Sequence, residues 1–174
     1  MKRTLIFALL AVALLAVMPR STRAADTINV VTTHATLRSL VETIGGDRVK
    51  VDNIIKPNQD PHYASAKPSF MAQARRADLW VRIGMEMEIG YERLILEGSR
   101  NRNIQVGNTG HLDASTNVMR LEVPTSRIDR SMGDVHPQGN PHYWLDPYNI
   151  RIVAGDIAER LGRGEVGRLE VEAP

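Results

Sequence analysis

Short apolar runs alternate with helical periodicities along the chain from residue 27 onward. Ile28–Val31 is rich in β-formers, and the apolar positions after it recur at i, i+3, i+4 and i+7. This pattern predicts a strand and then an amphipathic helix that ends at Gly45-Gly46. Further strands are predicted at Val49–Ile55, Leu79–Ile83 and Ile104–Val106, and further helices from Pro68 onward and around Tyr91–Ile95.

The pattern weakens between Leu112 and Gly139, where Pro, Ser, Asp and Gly are scattered. We expect mostly loop there, with Val118–Val123 as the one candidate strand. A last helix is predicted to begin at Pro147, because one face stays apolar from there to Leu161. We expect this helix to end before a cluster of three glycines, which are Gly162, Gly164 and Gly167.

Strand–helix alternation with short connections predicts an α/β fold, in which a parallel sheet is flanked by helices on both faces. In such sheets the ligand crevice lies outside the carboxyl ends of the strands. His34 and His62 each follow a predicted strand and precede a predicted helix. Both side chains are therefore expected at that edge of the sheet.

The first residues predict an export signal and not a part of the fold. Lys2 and Arg3 precede an uncharged apolar run that ends at Met18, and small residues follow around Ala24. This is the layout of a secretory signal, so we assign residues 1–24 to a signal peptide and expect a soluble periplasmic protein. Because the chain has no cysteine, we expect no thioether-linked lipid anchor, and thiolate metal ligands are excluded.

The net charge depends on whether this signal is counted. Four of the 22 Lys and Arg residues, and none of the 20 Asp and Glu residues, lie within the first 24 positions. The remainder carries 18 basic and 20 acidic groups, a net charge of −2 with neutral histidines. The sequence also has no basic cluster with interleaved aromatic residues, which argues against nucleic-acid binding.

Two histidines on turns stiffened by proline are the candidate metal ligands. His62 follows Asp60-Pro61, and His142 follows Pro141 directly before a predicted helix start. Two imidazoles on separate rigid loops, in a chain without cysteine, indicate half of a site for a borderline divalent ion. Asp60 is placed to hold the second ring nitrogen of His62, as metal-bound histidines usually require. On these residues alone, each histidine is as well explained by packing in its turn as by metal binding.

The other candidate residues carry weaker signals. We expect His136 to be a solvated loop residue that could still collect metal at the mouth of the crevice. We expect His34 to be a surface group at the strand edge, and His111 is an equally weak ligand candidate. Glu86 and Glu88 have i, i+2 spacing before a helix, which predicts a solvated first turn and not an acid/base pair. Motifs of nucleophilic, phosphate-binding and zincin-type sites are absent from the sequence.

Several stretches together resemble the periplasmic solute-binding proteins of zinc and manganese ABC transporters, also called the metal-receptor or adhesin-type family. The resemblance extends from about Ile28 to Leu161. Its most specific part is the pair of histidine motifs, and with them we expect both histidines to be ligands. The stretches are Thr32-Thr33 after the opening strand, Gly45-Gly46-Asp47-Arg48-Val49, Lys56-Pro57-Asn58-Gln59-Asp60-Pro61-His62, Lys67-Pro68-Ser69, Ala77-Asp78-Leu79 and Gly139-Asn140-Pro141-His142-Tyr143-Trp144-Leu145-Asp146-Pro147.

This resemblance implies two α/β lobes joined by one long helix, with a metal ion held between the lobes. The family's first two ligand histidines match His62 and His142, whereas its third and fourth ligands come from a C-terminal lobe. Residues 25–146 are therefore expected to form the N-terminal metal-binding lobe, and residues 147–174 the start of the linking helix with a truncated tail. His34 stands where the family pattern has no histidine, so it is not carried over as a ligand.

The function implied by the resemblance is capture of Zn²⁺, with Mn²⁺ as the second choice, and delivery of the ion to an ABC permease. We expect no enzymatic activity, and contact with the membrane only through that permease. Two alternatives stay open: a metal buffer or cell-adhesion module that does not transport, and a zinc hydrolase whose metal activates water. Neighbouring permease and ATPase genes would favour transport, whereas zinc-dependent hydrolysis of esters or hydration of CO₂ would favour the enzyme.

Overall fold

Within the described part of the chain, four parallel strands form one sheet. The structure, a computed structural model, describes residues 27–126, 128, 133 and 135–171, with side chains as far as residue 162. The strands are β1 Ile28–Thr32, β2 Val49–Asn53, β3 Leu79–Arg82 and β4 His111–Asp113. They pair in the order β2-β1-β3-β4, all parallel, which confirms the predicted sheet. The predicted signal peptide at residues 1–24 lies outside the described residues.

The helices of the described chain are α1 Ala35–Gly45, α2 Pro68–Arg75, α3 Glu92–Ser99 and α4 Pro147–Val171. The ring nitrogen Nδ1 of His34 caps α1 by accepting a hydrogen bond from the backbone N–H of Thr36 at 3.3 Å. Proline stands in the first turn of α2, as predicted. No helix among the described residues is both long and apolar enough to cross a membrane.

The core lies on both faces of the sheet, because successive residues of a strand point to opposite sides. On one face, Val30 and Val81 pack with α1 and α4, and on the other face Val31 and Trp80 pack with α2 and α3. Helices on both faces therefore confirm the prediction. The buried helical residues are Leu37, Val41, Val153, Ile157 and Leu161 on the first face, and Ala74, Ile95 and Leu96 on the second.

The fourth strand lies further along the chain than predicted. We expected it at Ile104–Val106, but the strand that pairs with β3 is His111–Asp113. Ile104 is buried whereas Val106 is 70% exposed, and the segment around them is a series of turns. Asparagine side chains hold these turns in place of strand pairing. One of them, Asn103, donates from Nδ2 to a backbone carbonyl at 2.8 Å.

Two predictions about the second half of the chain are also wrong. Val118–Val123 forms no strand, and its Met119 is bonded to α4 instead: the N–H of Met119 donates to Oδ1 of Asn149 at 2.8 Å. The helix α4 continues to Val171, past the three glycines at which we expected it to end. A glycine costs a helix about 1 kcal/mol relative to alanine, which weakens the helix without ending it.

A charged cluster around Glu92 joins α3 to β3 and β4. Its Oε1 accepts hydrogen bonds from Trp80 Nε1 (2.9 Å) and His111 Nε2 (3.2 Å), and its Oε2 accepts one from Arg82 at 2.6 Å. Arg82 also donates to Asp113 at 2.5 Å. Burial opposes ionisation of Glu92, but the bond from His111 and the charge of Arg82 outweigh it, so the pKa of Glu92 lies below its ordinary value. His111 therefore has a structural role in this buried cluster.

Replacing Glu92 with alanine should lower the free energy of unfolding by about 3 kcal/mol. The substitution leaves the buried indole N–H of Trp80 unpaired and removes one of the carboxylates that Arg82 contacts. The control is Glu97→Ala, which breaks an exposed ion pair with Arg93 and should cost less than about 1 kcal/mol. Denaturant unfolding followed by circular dichroism measures both. Equal costs would show that the buried cluster stabilises the protein no more than a surface pair.

Candidate metal centre

The carboxyl ends of the strands form the edge at which we expected the candidate residues. The strand order reverses next to β1, because β2 pairs on one side of it and β3 on the other. Thr33, which follows β1, donates its backbone N–H to the carbonyl of Val81 in β3 at 3.0 Å, so the two strand ends stay together. Ligand crevices of open α/β sheets form at such a reversal.

Asp60 fixes the orientation of His62. Its Oδ1 accepts two hydrogen bonds from that residue, one from the backbone N–H at 2.9 Å and one from the ring Nδ1–H at 2.8 Å. Pro61 begins a 3-10 turn, Pro61–Tyr63, and Asp60 is its N-cap. The backbone bond and then the ring bond lower the pKa of Asp60. Because an ionised carboxylate only accepts, Nδ1 carries the ring proton of a neutral His62 and Nε2 presents a lone pair.

Asn140 repeats this arrangement at His142. Its Oδ1 accepts hydrogen bonds from the backbone N–H of His142 at 2.9 Å and from the ring Nδ1–H at 2.8 Å. The amide nitrogen of Asn140 donates to Oε2 of Glu122 at 2.8 Å, which assigns the amide oxygen to the histidine side. The neutral ring of His142 therefore also has Nε2 as its free nitrogen. Two turns far apart in the sequence thus present equivalent nitrogen atoms.

Three imidazole rings converge at this edge of the sheet. The ring centroids of His62 and His142 are 5.7 Å apart; those of His62 and His136 are 5.4 Å apart, with their Nε2 atoms at 3.3 Å. The structure thus brings together the two histidines singled out by the sequence. It adds His136, which we expected to be a solvated loop residue.

An aromatic contact connects this cluster to the end of β1. The ring of Trp144 lies 4.9 Å from that of His142 and 4.5 Å from that of His34, measured between centroids. His34 is therefore half-buried against an indole and is not the surface group that we expected. Because its Nδ1 caps α1, only Nε2 of His34 is left for other contacts.

The surroundings of His142 favour its neutral form. Burial lowers its pKa, and a positive charge on His62 or His136 lowers it further, against a smaller opposite effect of Asp60. A neutral imidazole is the form that coordinates a metal ion. Within the part of the chain that the structure describes, no group of three or more His, Cys, Asp or Glu side chains is already arranged to hold an ion. The edge is therefore an open cluster of oriented imidazoles.

Glu88 is a buried carboxylate, and our prediction of a solvated first turn is wrong for it. It is 1% exposed and lies in the turns before α3. Its Oε1 accepts hydrogen bonds from the hydroxyl of Thr33 (2.7 Å) and the N–H of Ile83 (2.8 Å), and its Oε2 accepts one from the N–H of Gly84 (3.1 Å). Burial raises the pKa of Glu88 to about 7, although these three donors oppose the shift.

The sequence did carry one signal for this burial. Glu86 and Glu88 alternate with Met85 and Met87, and both methionines are buried. Apolar residues interleaved with carboxylates indicate a segment that is folded in part into the core, where a buried carboxylate needs hydrogen-bond donors.

A parallel α/β sheet with oriented imidazoles at its carboxyl edge defines the chain as an α/β lobe with a candidate metal centre. Residues 30–165 match the family model for ZnuA, described as zinc-uptake complex component A, periplasmic. The chain belongs to this family, which confirms the resemblance drawn from its motifs.

Curated relatives match about four fifths of the chain. The manganese ABC transporter substrate-binding lipoprotein PsaA of Streptococcus pneumoniae is 30% identical over 141 residues, which cover 81% of this chain and 43% of PsaA. The metal ABC transporter substrate-binding lipoprotein ScbA of Streptococcus cristatus is 25% identical over 147 residues, with 82% and 44% covered. This chain thus spans less than half the length of these relatives. Both are named lipoproteins, whereas the absence of a lipid anchor here stays a prediction about residues outside the described part.

A solved structure supports the same fold. The metal-dependent lipoprotein YcdH from Bacillus subtilis is similar with a TM-score of 0.59 and 21% sequence identity, over 83% of this chain and 47% of YcdH. At this identity the likeness concerns the fold alone. A match to about half of that chain is consistent with one lobe of a ZnuA-type receptor.

The raised pKa of Glu88 predicts a pH-dependent stability. The folded protein holds this proton more tightly than the unfolded chain, where the pKa is near 4.5. The stability that Glu88 contributes is therefore fully present below about pH 4.5 and is lost as the pH rises through about 7. In Glu88→Gln this component is absent. From pH 5 to pH 8, the free energy of unfolding of the wild type should fall relative to the variant by roughly 2–3 kcal/mol.

Denaturant unfolding of both proteins across this pH range measures the effect. Glu97→Gln is the control, because its carboxyl is exposed and should give a difference from the wild type that hardly changes with pH. A pH-independent difference for Glu88→Gln would contradict the raised pKa.

Proposed function

We propose that this chain is the N-terminal lobe of an exported metal receptor, which binds a divalent ion with His62 and His142 and delivers it to an ABC permease. Membership of the zinc-uptake family supports the proposal. The name of the relative PsaA as a manganese ABC transporter substrate-binding lipoprotein supports it as well. In this proposal residues 25–146 form the lobe, and α4 begins the helix that leads to a second lobe.

The observation that carries the proposal is the pair of turns in which Asp60 and Asn140 each bind a histidine two residues later. Metal-bound histidines almost always donate their second ring N–H to a carboxylate, carbonyl or water. Asp60 and Asn140 supply such an oxygen at 2.8 Å from Nδ1 of His62 and His142, respectively. Each ring is therefore oriented before an ion arrives, and less side-chain freedom is lost when the ion binds.

Zinc suits these donors better than manganese. Imidazole is a ligand that Zn²⁺ favours, whereas Mn²⁺ prefers carboxylate, carbonyl and water oxygens. The carboxylate of Asp60 is bonded to Nδ1 of His62, so it supports the ring and is not itself a proposed ligand. We therefore propose Zn²⁺ as the preferred ion, with Mn²⁺ as the second choice.

Zinc titration of the purified chain should show binding that depends on His62 and His142. His62→Ala and His142→Ala should each weaken zinc binding by more than about tenfold, because losing a direct ligand costs more than losing the group that orients it. The double variant should lose the site. Calorimetry at pH 7.5, with competition against a chromophoric chelator, measures the affinities. The wild type should bind manganese more weakly than zinc under the same conditions.

His34→Asn is the matched control for these variants. It removes one imidazole beside Trp144, and its amide oxygen can still accept the hydrogen bond that caps α1. Its zinc affinity should stay close to that of the wild type. Tight zinc binding in the His62→Ala/His142→Ala double variant would place the metal site elsewhere and reject the proposal.

Delivery to a permease is tested separately, by uptake in cells. A strain that lacks this gene should take up radioactive zinc more slowly when a chelator limits free zinc. The wild-type gene should restore the initial rate, whereas the His62→Ala/His142→Ala gene should not. A metal buffer would instead alter the zinc retained outside the cytoplasmic membrane and leave the initial rate unchanged. Equal initial rates in the deletion and parent strains would contradict the transport role.

A further inference from the structure

We infer that His136 is a third ligand of the ion that His62 and His142 bind, so that this lobe alone supplies three imidazoles. The inference rests on the proposed function, and it extends that function to a residue on the loop before His142. The observation behind it is the close approach of two ring nitrogens, Nε2 of His62 and Nε2 of His136, at 3.3 Å.

This separation is the one that a zinc ion requires. Two nitrogens bonded at about 2.0–2.1 Å to one tetrahedral ion lie about 3.3–3.4 Å from each other. Because Asp60 holds the ring proton of His62 on Nδ1, Nε2 of His62 offers a lone pair. Without metal, Nε2–H of His136 can donate a hydrogen bond to that lone pair. A zinc ion that takes the place of the proton on Nε2 of His136 finds the two Nε2 atoms already at the separation of two ligands in a tetrahedral site.

A tight turn fixes the backbone that carries His136. The N–H of Gly139 donates to the carbonyl of His136 at 3.1 Å, and the N–H of Asn140 donates to the carbonyl of Leu121 at 2.9 Å. Gly139 has a φ of 105°, and a side chain there would collide with the Leu121 carbonyl. The same Asn140 orients His142. His136 and His142 therefore lie at the two ends of one segment whose backbone is fixed by these hydrogen bonds.

The third ring is already close to its place. The centroid of His142 lies 5.7 Å from that of His62, compared with 5.4 Å between His62 and His136. The three side chains do not yet form a complete site. Three imidazoles leave one position of a tetrahedral ion for water or another group.

His136→Ala in the full chain tests this inference with zinc itself. Zinc affinity should fall by more than about tenfold, as for the other two ligands. In the wild type, the ¹⁵N signal of His136 Nε2 should move to that of a metal-bound nitrogen when zinc is added. Gln138→Ala changes a neighbour in the same turn and should keep the wild-type affinity. The free energy of unfolding of both variants should lie within about 0.5 kcal/mol of that of the wild type, because His136 and Gln138 lie on a surface loop.

The outcomes separate the inference from the proposed function. Zinc binding that needs His62 and His142 but is unchanged in His136→Ala, with an unmoved Nε2 signal, would overturn the inference and leave the proposed function standing. Binding that is indifferent to all three substitutions would reject both. A matched loss in the three variants, with Gln138→Ala unaffected, supports His136 as the third ligand.

Discussion

The carboxylate of Glu88 accepts one hydrogen bond from the residue that follows β1 and two from the residues that follow β3, and it thereby joins these two strand ends. The hydroxyl of Tyr143 donates to the carbonyl of Ile83 at 2.7 Å, so the residue next to His142 is anchored to the same junction. Without the carboxylate, buried donors at both strand ends would lose their partner, which costs more free energy than the bonds contribute. The position of the segment that carries His142 therefore depends on a residue that lies outside the site.

One local device orients both candidate ligands. In each turn a single oxygen, two residues before the histidine, binds both its backbone N–H and its ring Nδ1–H. The arrangement needs only three consecutive residues, because an Asp or Asn side chain readily bonds the backbone two residues on. Asp60 adds a negative charge beside His62, whereas Asn140 is neutral and is itself held by Glu122. The two rings thus share a geometry but differ in their electrostatic surroundings.

Features that depend on contacts between residues close in sequence could be predicted, whereas most features that depend on long-range contacts could not. The strands β1, β2 and β3, the helices α1, α2 and α3 and the contact of Asp60 with His62 depend on residues close in sequence, and their prediction succeeded. The parallel sheet and the approach of His62 to His142 were predicted from alternation and family resemblance. The position of β4, the burial of Glu88 and the contact between His62 and His136 depend on pairings across the fold, which periodicity does not encode. The end of α4 was predicted wrongly from its glycines, because a helix propensity difference of about 1 kcal/mol per residue is too small to decide where a helix ends.

The stability of the lobe and the chemistry of its edge are carried by different residues. The two core clusters and the charged cluster around Glu92 include none of the three converging histidines. A closed structural zinc site contributes folding energy, and the protein unfolds when the ion leaves. A receptor that binds and releases its cargo needs the opposite: a fold that holds without the ion. In the proposed role, the sheet with its two helical layers supplies that fold, while the turns at Asp60 and Asn140 keep the imidazoles oriented between one ion and the next.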